Sequence, residues 1–230
     1  MNVIQNLTAV NRTVCANRKI EYIVVHYFGA LGSAEQTCAF FKSVNRKASA
    51  HYFVDDNGVF QSVEDKNAAW HCGDSGRGTH KGKCSNANSI GIEVRPYKVN
   101  PKSLLASDKD WYFHEATIAN LTKLVRSLMA VHGIDADHVI RHYDVTAKAC
   151  PRPWVGEDVN TYYGKTGNQL WAEFKEGLKV ENMEAWKTEI GEKALADGII
   201  TDKAWLGKLD EPAPVWMVLA LANKLKEEKA

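Results

Sequence analysis

The chain has 230 residues, of which 45% are hydrophobic and 25% are charged. This composition is typical of a globular protein and excludes a disordered, collagenous or coiled-coil chain. The length allows either one full domain with a small module or one large domain. The formal net charge is +1, so no strong field attracts nucleic acid or anionic lipid, and we expect neither as a partner. No apolar run approaches the about 18 residues that span a bilayer, so we expect no membrane insertion.

The first part of the chain alternates between strand and helix patterns. A β-branched run over 21–26 predicts a buried strand that ends at His26. Ser33 has Gln36 three residues later, which is typical of a capped helix start. We expect this helix to continue to about Val44.

The middle of the chain predicts a hairpin and a further strand. Two apolar runs, 51–55 and 59–63, are joined by an Asn-Gly dipeptide, the strongest short sequence signal for a β-hairpin. Residues 89–94 predict a strand with apolar side chains on one face and Glu93 on the other.

The second half continues the alternation. A polar connection is expected over 97–110, followed by an amphipathic helix over 111–132. A short strand at 139–140 and a helix over 168–178 come next. The sequence therefore predicts an α/β fold, with a central mixed β-sheet flanked by helices.

The composition changes near residue 180, and the last part of the chain is richer in acidic than in basic residues. Its apolar positions recur at helical spacing, with one helix closed by Gly198 and another starting at Asp210. We predict a main domain over 1–178 and a small C-terminal α-helical module over 179–230. About fifty residues make a thin core, so we expect docking on the main domain or self-association.

The cysteines do not form a disulfide pattern. There are five of them, Cys15, Cys38, Cys72, Cys84 and Cys150. An odd, loosely spaced set argues against a disulfide scaffold, and the first two are interpreted as small buried hydrophobes. Cys72 and Cys84 bracket a polar loop. They either pair in an oxidising compartment, join His71 and His80 in a structural metal site, or do neither.

Three residues at the ends of predicted elements have the chemistry of a zinc site. His26 ends a buried strand, His142 follows a short strand, and Cys150 comes eight residues later. Two imidazoles and one thiolate suit Zn²⁺, and three protein ligands leave a fourth position open. A lone histidine at a strand end is commonly structural, so these residues by themselves leave both interpretations open.

Five segments around these residues occur in a fixed order. They are Val24-Val25-His26-Tyr27, Ser49–Val54, Ala69-Trp70-His71, Asn88–Glu93 and Arg141–Cys150. Together they resemble the zinc-dependent N-acetylmuramoyl-L-alanine amidases of the type-2 amidase and peptidoglycan-recognition-protein superfamily, over roughly residues 18–178. The resemblance implies a mixed sheet with flanking helices and a zinc site at one end of a substrate groove. It also implies hydrolysis of the amide between N-acetylmuramic acid and L-alanine in bacterial peptidoglycan.

The resemblance carries the metal ligands over one at a time. His26, His142 and Cys150 match the three zinc ligands, with cysteine where other members have aspartate. Lys148 matches the lysine two residues before the third ligand, and it is expected to stabilise the oxyanion of the tetrahedral intermediate.

Two patterns within the family place the general base at different residues. Phage-lysozyme-type members carry a catalytic tyrosine where this chain has Ala50. Other members use a glutamate that matches Glu93, so we expect Glu93 to take the water proton and deliver it to the leaving amine. Trp70 and His71 match a segment that borders the groove for the stem peptide, and we predict that they bind substrate. His51 is expected to orient structure and not to bind metal.

The resemblance leaves several biological roles open. Residues 1–12 lack a basic start followed by an apolar stretch, so no signal peptide is expected. We therefore expect a cytoplasmic protein that a separate pore releases to the cell wall, as a phage or prophage endolysin with a possible wall-binding C-terminal module. The alternatives are a cytoplasmic muropeptide-recycling amidase and a non-catalytic peptidoglycan-recognition protein. Recognition proteins typically lack the third ligand, so Cys150 disfavours the last alternative.

Overall fold

The computed structural model describes residues 2–73, 76–179 and 183–204. They belong to two compact units, with the boundary after Lys179. Among the described residues, no helix combines the length and apolar character needed to cross a bilayer. The predicted helix from Asp210 lies outside the described residues, and self-association through this module stays a prediction.

The secondary structure alternates between strands and helices, as the sequence predicts. In chain order the elements are β1 (Val3–Gln5), β2 (Tyr22–Tyr27), α1 (Ala34–Phe40), β3 (Tyr52–Asp55), β4 (Gly58–Gln61), β5 (Ser89–Val94), β6 (Tyr97–Lys98), β7 (Trp111–Tyr112), α2 (Glu115–His132), β8 (Val139–Arg141), α3 (His142–Thr146), α4 (Gly167–Lys179) and α5 (Met183–Ala196). Single 3₁₀ turns precede β8 and follow α3. Gly198, with φ of 70°, comes just after α5 and confirms the predicted helix end.

The central sheet has six strands in the order β1-β4-β3-β5-β2-β8. All neighbouring strands are parallel except β3 and β4, which form the antiparallel hairpin that the Asn-Gly dipeptide predicts. This mixed sheet, with helices packed against it, confirms the predicted fold class. The strand β1, which pairs with β4, was not predicted.

The two faces of the sheet differ in character because side chains alternate along each strand. One face, here called the core face, carries Ile23, Val25, Ile90 and Ile92 into the main hydrophobic core with residues of α2 and α4. The other face, here called the site face, has two smaller apolar clusters. One involves β2, β8 and the loop after β4, and the other packs α1 on β3 and β4.

Two predicted boundaries were wrong. Helix α1 ends at Phe40 and does not reach Val44, because the side chain of Asn11 donates hydrogen bonds to the carbonyls of Phe41 and Val44. Those contacts hold the backbone after α1 in a non-helical path.

The predicted helix from Trp111 begins only at Glu115. The two residues Trp111 and Tyr112 pair instead with Tyr97 and Lys98 as a short antiparallel hairpin inside the expected polar connection. The buried ammonium of Lys98, which forms ion pairs with Asp108 and Asp110, stabilises that hairpin.

Candidate metal centre and active site

His26 is the second-to-last residue of β2 and is almost fully buried on the site face. Its strand lies between β5 and β8 in a parallel arrangement. The carboxyl ends of parallel strands therefore meet at one edge of the sheet, where α/β proteins commonly bind ligands.

His142 reaches the same edge because it is the first residue of α3, directly after β8. The start of this helix is fixed by Asp144, whose carboxylate accepts hydrogen bonds from the backbone and side chain of Arg141. Arg141 is itself buried and donates to the carbonyl of Trp154. The His142 side chain is thus held on a short but well-anchored helix.

Cys150 completes the group from the loop after α3. Its carbonyl accepts a hydrogen bond from the backbone N–H of Tyr143, which folds the loop back onto the helix. The Cys150 Sγ lies 3.8 Å from Nδ1 of His26. One ligand atom from each of His26, His142 and Cys150 lies within 4.8 Å of the other two. Within residues 2–73, 76–179 and 183–204, this is the one cluster of histidine, cysteine and acidic side chains with such spacing.

The three side chains fit a zinc ion in both distance and charge. Tetrahedral Zn²⁺ with Zn–N near 2.1 Å and Zn–S near 2.3 Å holds its nitrogen and sulfur ligands about 3.6 Å apart. Burial lowers the pKa of His26, and burial together with Lys148 lowers the pKa of His142 to about 4. Both imidazoles are therefore neutral, as metal ligands must be. Burial and the nearby Glu93 raise the pKa of Cys150, so a cation is needed to hold its thiolate.

Glu93 lies on β5 directly beside His26, because the two residues are register partners in parallel strands. Both side chains consequently point to the site face. Burial raises the pKa of Glu93 to about 8, with the charge of Lys148 acting in the opposite direction. Its Oε2 is buried and has no hydrogen-bond partner in the part of the chain that the structure describes. An unpaired buried carboxyl oxygen is costly and is available to a ligand.

An apolar cavity of about 370 Å³ opens beside Glu93. Four phenylalanines contribute to its wall: Phe40 of α1, Phe53 of β3, and Phe28 and Phe41 from the loops after β2 and α1. The sequence reasoning missed this cavity. The adjacent pair Phe40-Phe41 at the end of α1 was the available signal, since Phe40 is 52% exposed and an exposed aromatic at a helix end is a candidate ligand contact.

Residues 16–153, more than half of the chain, match the family described as N-acetylmuramoyl-L-alanine amidase (Amidase_2). The chain belongs to this amidase family. The match includes the three candidate zinc ligands and Glu93, and it confirms the resemblance that the sequence motifs indicate.

Individual relatives support the assignment to the amidase family. A probable N-acetylmuramoyl-L-alanine amidase of Bacillus licheniformis is 34% identical over 163 residues, which are 67% of this chain and 44% of that protein. The solved catalytic domain of XlyA has a TM-score of 0.56 at 27% identity, covering 77% of this chain and 99% of that one. A mutant endolysin from Bacillus subtilis gives the same TM-score, identity and coverage. The chain spans about half the length of the curated relatives it matches.

Lys148 lies two residues before Cys150 in this amidase fold, as the family pattern implies. Its side chain is exposed, yet its positive charge lowers the pKa of His26, His142, Cys150 and Glu93. The charge of Lys148 therefore acts on all three candidate zinc ligands and on Glu93.

The two predicted substrate-binding residues of the amidase lie in different surroundings. The indole N–H of Trp70 donates to the hydroxyl of Thr13, 2.8 Å away. The ring of His71 instead contacts His26, with its Nδ1 3.0 Å from Nε2 of that ligand. Substrate binding by either residue stays a prediction, but the ring of His71 lies in contact with His26 of the candidate metal centre.

The remaining histidines do not build a second centre among the described residues. His51 is fully buried, and its Nδ1 accepts a hydrogen bond from the backbone N–H of Gly91, so it orients structure as predicted. The alternative structural metal site lacks two of its members, because His71 faces His26 and His80 packs on Tyr22. Cys72 and Cys84 are buried together in one of the small apolar clusters.

Proposed function

We propose that this chain is a zinc-dependent N-acetylmuramoyl-L-alanine amidase that cleaves bacterial peptidoglycan. The scissile bond is the amide between the lactyl group of N-acetylmuramic acid and L-alanine. His26, His142 and Cys150 hold the zinc ion. The grouping of these three ligand atoms beside an unpaired carboxyl oxygen of Glu93, in a chain of this family, supports the proposal most directly.

Hydrolysis of an amide requires an activated water and a protonated leaving nitrogen. When bound, zinc supplies Lewis acidity that polarises the carbonyl and acidifies water. Glu93 accepts the water proton at Oε2 and later delivers it to the departing amine nitrogen. Burial raises the pKa of Glu93 to about 8, and a cation bound beside it would lower that value. The carboxylate would then be ionised near neutral pH and still basic enough to take a proton.

Lys148 stabilises the negative charge that develops on the carbonyl oxygen. Its positive charge acts on all three proposed ligands and on Glu93. The same charge would stabilise an oxyanion that forms among these groups. A preorganised cation at that place favours the transition state over the ground state. The side chain of Lys148 is exposed to solvent.

The substrate is expected to occupy the edge of the sheet next to Glu93. The cavity lined by Phe28, Phe40, Phe41 and Phe53 offers an apolar contact beside the proposed base. Aromatic walls with a few polar groups are typical of ligand sites. Trp70 and His71 are proposed to border the peptide side of this groove.

The biological role proposed is that of an endolysin, which acts on the wall after release from the cytoplasm through a separate pore. The similarity to a Bacillus subtilis endolysin supports this role. Residues 179–230 are proposed as a helical module that binds the wall or mediates self-association. If a protein lacking residues 181–230 binds walls and lyses cells as well as the full chain does, the targeting part of this proposal fails. Recycling of muropeptides remains the second candidate, since it uses the same bond cleavage.

The reaction is tested by mass spectrometry of purified peptidoglycan after incubation with the protein. We expect free stem peptides that begin with L-alanine, together with intact glycan strands that carry a free lactyl carboxylate. A zinc chelator should abolish both products, and added zinc should restore them.

Two other results would change the assignment. Cleavage between sugars or within the peptide would overturn the reaction class. Binding to walls without any cleavage, in the zinc-loaded protein, would favour the recognition protein. Comparing polymeric walls with small soluble muropeptides as substrates separates an endolysin from a recycling enzyme.

A further inference from the structure

We propose that His71 is a positioning residue, which fixes the ring orientation and the tautomer of the zinc ligand His26 through a hydrogen bond to its Nε2. The inference rests on the proposed function in one respect, namely that His26 binds the metal. It assigns His71 a role towards the metal ligand, in addition to the substrate contact proposed above.

The two ring nitrogens of His26 face different partners. Nδ1 lies 3.8 Å from the sulfur of Cys150 and is therefore on the metal side. Nε2 lies 3.0 Å from Nδ1 of His71, with the two rings nearly perpendicular at 88°. An imidazole that binds metal through one nitrogen carries its proton on the other, and it usually donates that proton to a fixed acceptor.

The direction of this hydrogen bond follows from its far end, independently of the metal. The hydroxyl of Ser89 lies 2.5 Å from the carbonyl oxygen of Ser85, which can only accept, so Ser89 donates to it. The Ser89 oxygen, 3.2 Å from Nε2 of His71, is then left to accept. A neutral His71 ring that donates through Nε2 has a lone pair on Nδ1, and that lone pair accepts from His26.

The result is a directed chain of hydrogen bonds that runs from His26 through His71 and Ser89 to a backbone carbonyl. It places the His26 proton on Nε2 and leaves the Nδ1 lone pair free towards Cys150. The protein thus preorganises the ligand for metal, and the ring does not have to rotate or change tautomer on binding.

The fold reserves space for the His71 ring at one glycine. A Cβ on Gly91 would lie only 2.5 Å from Cγ of His71, so no other residue fits at that position without displacing the ring. The backbone is also fixed, because the Asn86 side-chain oxygen accepts hydrogen bonds from the N–H groups of His71 and Cys72. The contact between Gly91 and the ring of His71 therefore links the Trp70-His71 segment to the strand segment 90–93.

Three substitutions of His71 separate its hydrogen bond from its volume. In His71→Asn, the side-chain oxygen can occupy the place of the Nδ1 acceptor. In His71→Gln, the amide instead reaches the place of Nε2, and His71→Leu keeps bulk without an acceptor. The zinc dissociation constant of the full chain is measured by competition with a chromophoric chelator. The His26 Nε2–H of the zinc-loaded protein is followed by long-range ¹H–¹⁵N NMR.

We expect His71→Leu and His71→Gln to weaken zinc binding about 10- to 100-fold, as losses of such supporting hydrogen bonds typically do. His71→Asn should stay within about threefold of the wild type and keep a slowly exchanging Nε2–H signal from His26. The matched control His138→Leu changes a partly exposed histidine outside the site and should leave zinc binding unaltered. If His71→Leu fails to fold, the comparison of the Asn and Gln variants carries the test.

Three outcomes would overturn the inference. The first is wild-type zinc affinity in both His71→Leu and His71→Gln, and the second is an equal loss of zinc affinity in the Asn and Gln variants. The third is a loss of activity with unchanged zinc affinity and an unchanged NMR signal, which would instead indicate substrate binding. The proposed function is tested separately in the same titration. If Cys150→Ser leaves the zinc affinity of the protein unchanged, the proposed metal site itself is wrong, whatever the His71 variants do.

Discussion

The two faces of the central sheet use the same strands for different purposes. On the core face, large apolar side chains such as Ile23 and Ile92 pack against α2 and α4 and are completely buried. On the site face, the neighbouring positions on β2 and β5 are His26, Gly91 and Glu93. Polar groups buried without partners cost stability, so the site face depends on the core face to remain folded.

The alternation of a strand makes this division possible. Val25 and His26 are neighbours in sequence, yet one belongs to the hydrophobic core and the other to the candidate metal centre. We therefore expect substitutions on the site face to affect metal binding and turnover, and substitutions on the core face to affect the free energy of unfolding. Substitutions on each face test that separation.

Cys150→Ser is expected to abolish catalysis, because a serine hydroxyl is a poor zinc ligand compared with a thiolate. Zinc content by atomic absorption should fall far below one atom per chain. Release of stem peptides should fall to the level of the chelated wild type. Cys15→Ser is the matched control, since Cys15 is half-buried and lies outside the described metal cluster. Full activity of Cys150→Ser would show that the sulfur is no ligand.

Glu93→Gln is expected to lower kcat by about 10²- to 10⁴-fold, the usual contribution of a general base. The amide has nearly the same shape but cannot accept the water proton. Zinc content and the thermal unfolding midpoint should not fall, because Glu93 is no ligand and its buried carboxylate contributes no hydrogen bond through Oε2. The change Glu21→Gln, at a partly exposed glutamate, is the control. Turnover within about threefold of the wild type would assign the base to another residue.

Leu124→Ala tests the core face. Leu124 is 2% exposed and packs from α2 into the main core. A leucine-to-alanine change at such a site costs about 2–5 kcal/mol of unfolding free energy. Urea denaturation should show this loss, while the zinc affinity and kcat of the folded fraction stay unchanged. Val131→Ala on the same helix is the control, since Val131 is 71% exposed and its loss should cost under about 0.5 kcal/mol. A large change in kcat at preserved folding would contradict the separation of the faces.

The core face could be predicted from the sequence more completely than the site face. The apolar spacing over 111–132 predicts a helix with one buried face, and Leu121, Leu124 and Leu128 of that helix are all buried. Strand alternation correctly placed Glu93 opposite the apolar side chains of its strand. The spacing of apolar residues indicates on which face of a helix or strand each side chain lies, and a face made of apolar residues is expected to be buried.

The site face needed information that periodicity does not contain. Donor chemistry at element ends indicated His26, His142 and Cys150 as candidate zinc ligands, and the family resemblance favoured that interpretation. His71 was predicted to bind substrate, and nothing in the sequence indicated its contact with His26. Its contact with His26 joins residues 45 positions apart and depends on the path of the loop after β4. The cavity beside Glu93 arises where α1 meets β3 and β5, so no single segment encodes it. Such features depend on tertiary packing and not on local pattern.

Gly91→Ala tests the close approach between Gly91, on the site face of β5, and the ring of His71. Because a Cβ there would lie 2.5 Å from the His71 ring, the ring must move and its hydrogen bond to His26 lengthens or breaks. We expect zinc affinity to fall about tenfold, the lower part of the range for a lost supporting contact. The substitution adds a methyl group on the site face and removes nothing from the core face.

Gly177→Ala is the matched control for that change. Gly177 lies in α4, and a Cβ there meets no atom within 4 Å. Alanine favours the helix over glycine by about 0.5–1 kcal/mol. The same chemical substitution should therefore raise the unfolding free energy slightly and leave zinc binding unchanged. If Gly91→Ala also kept wild-type zinc affinity, the glycine would not be reserved for the His71 ring. The link between the two motifs would then have to be abandoned.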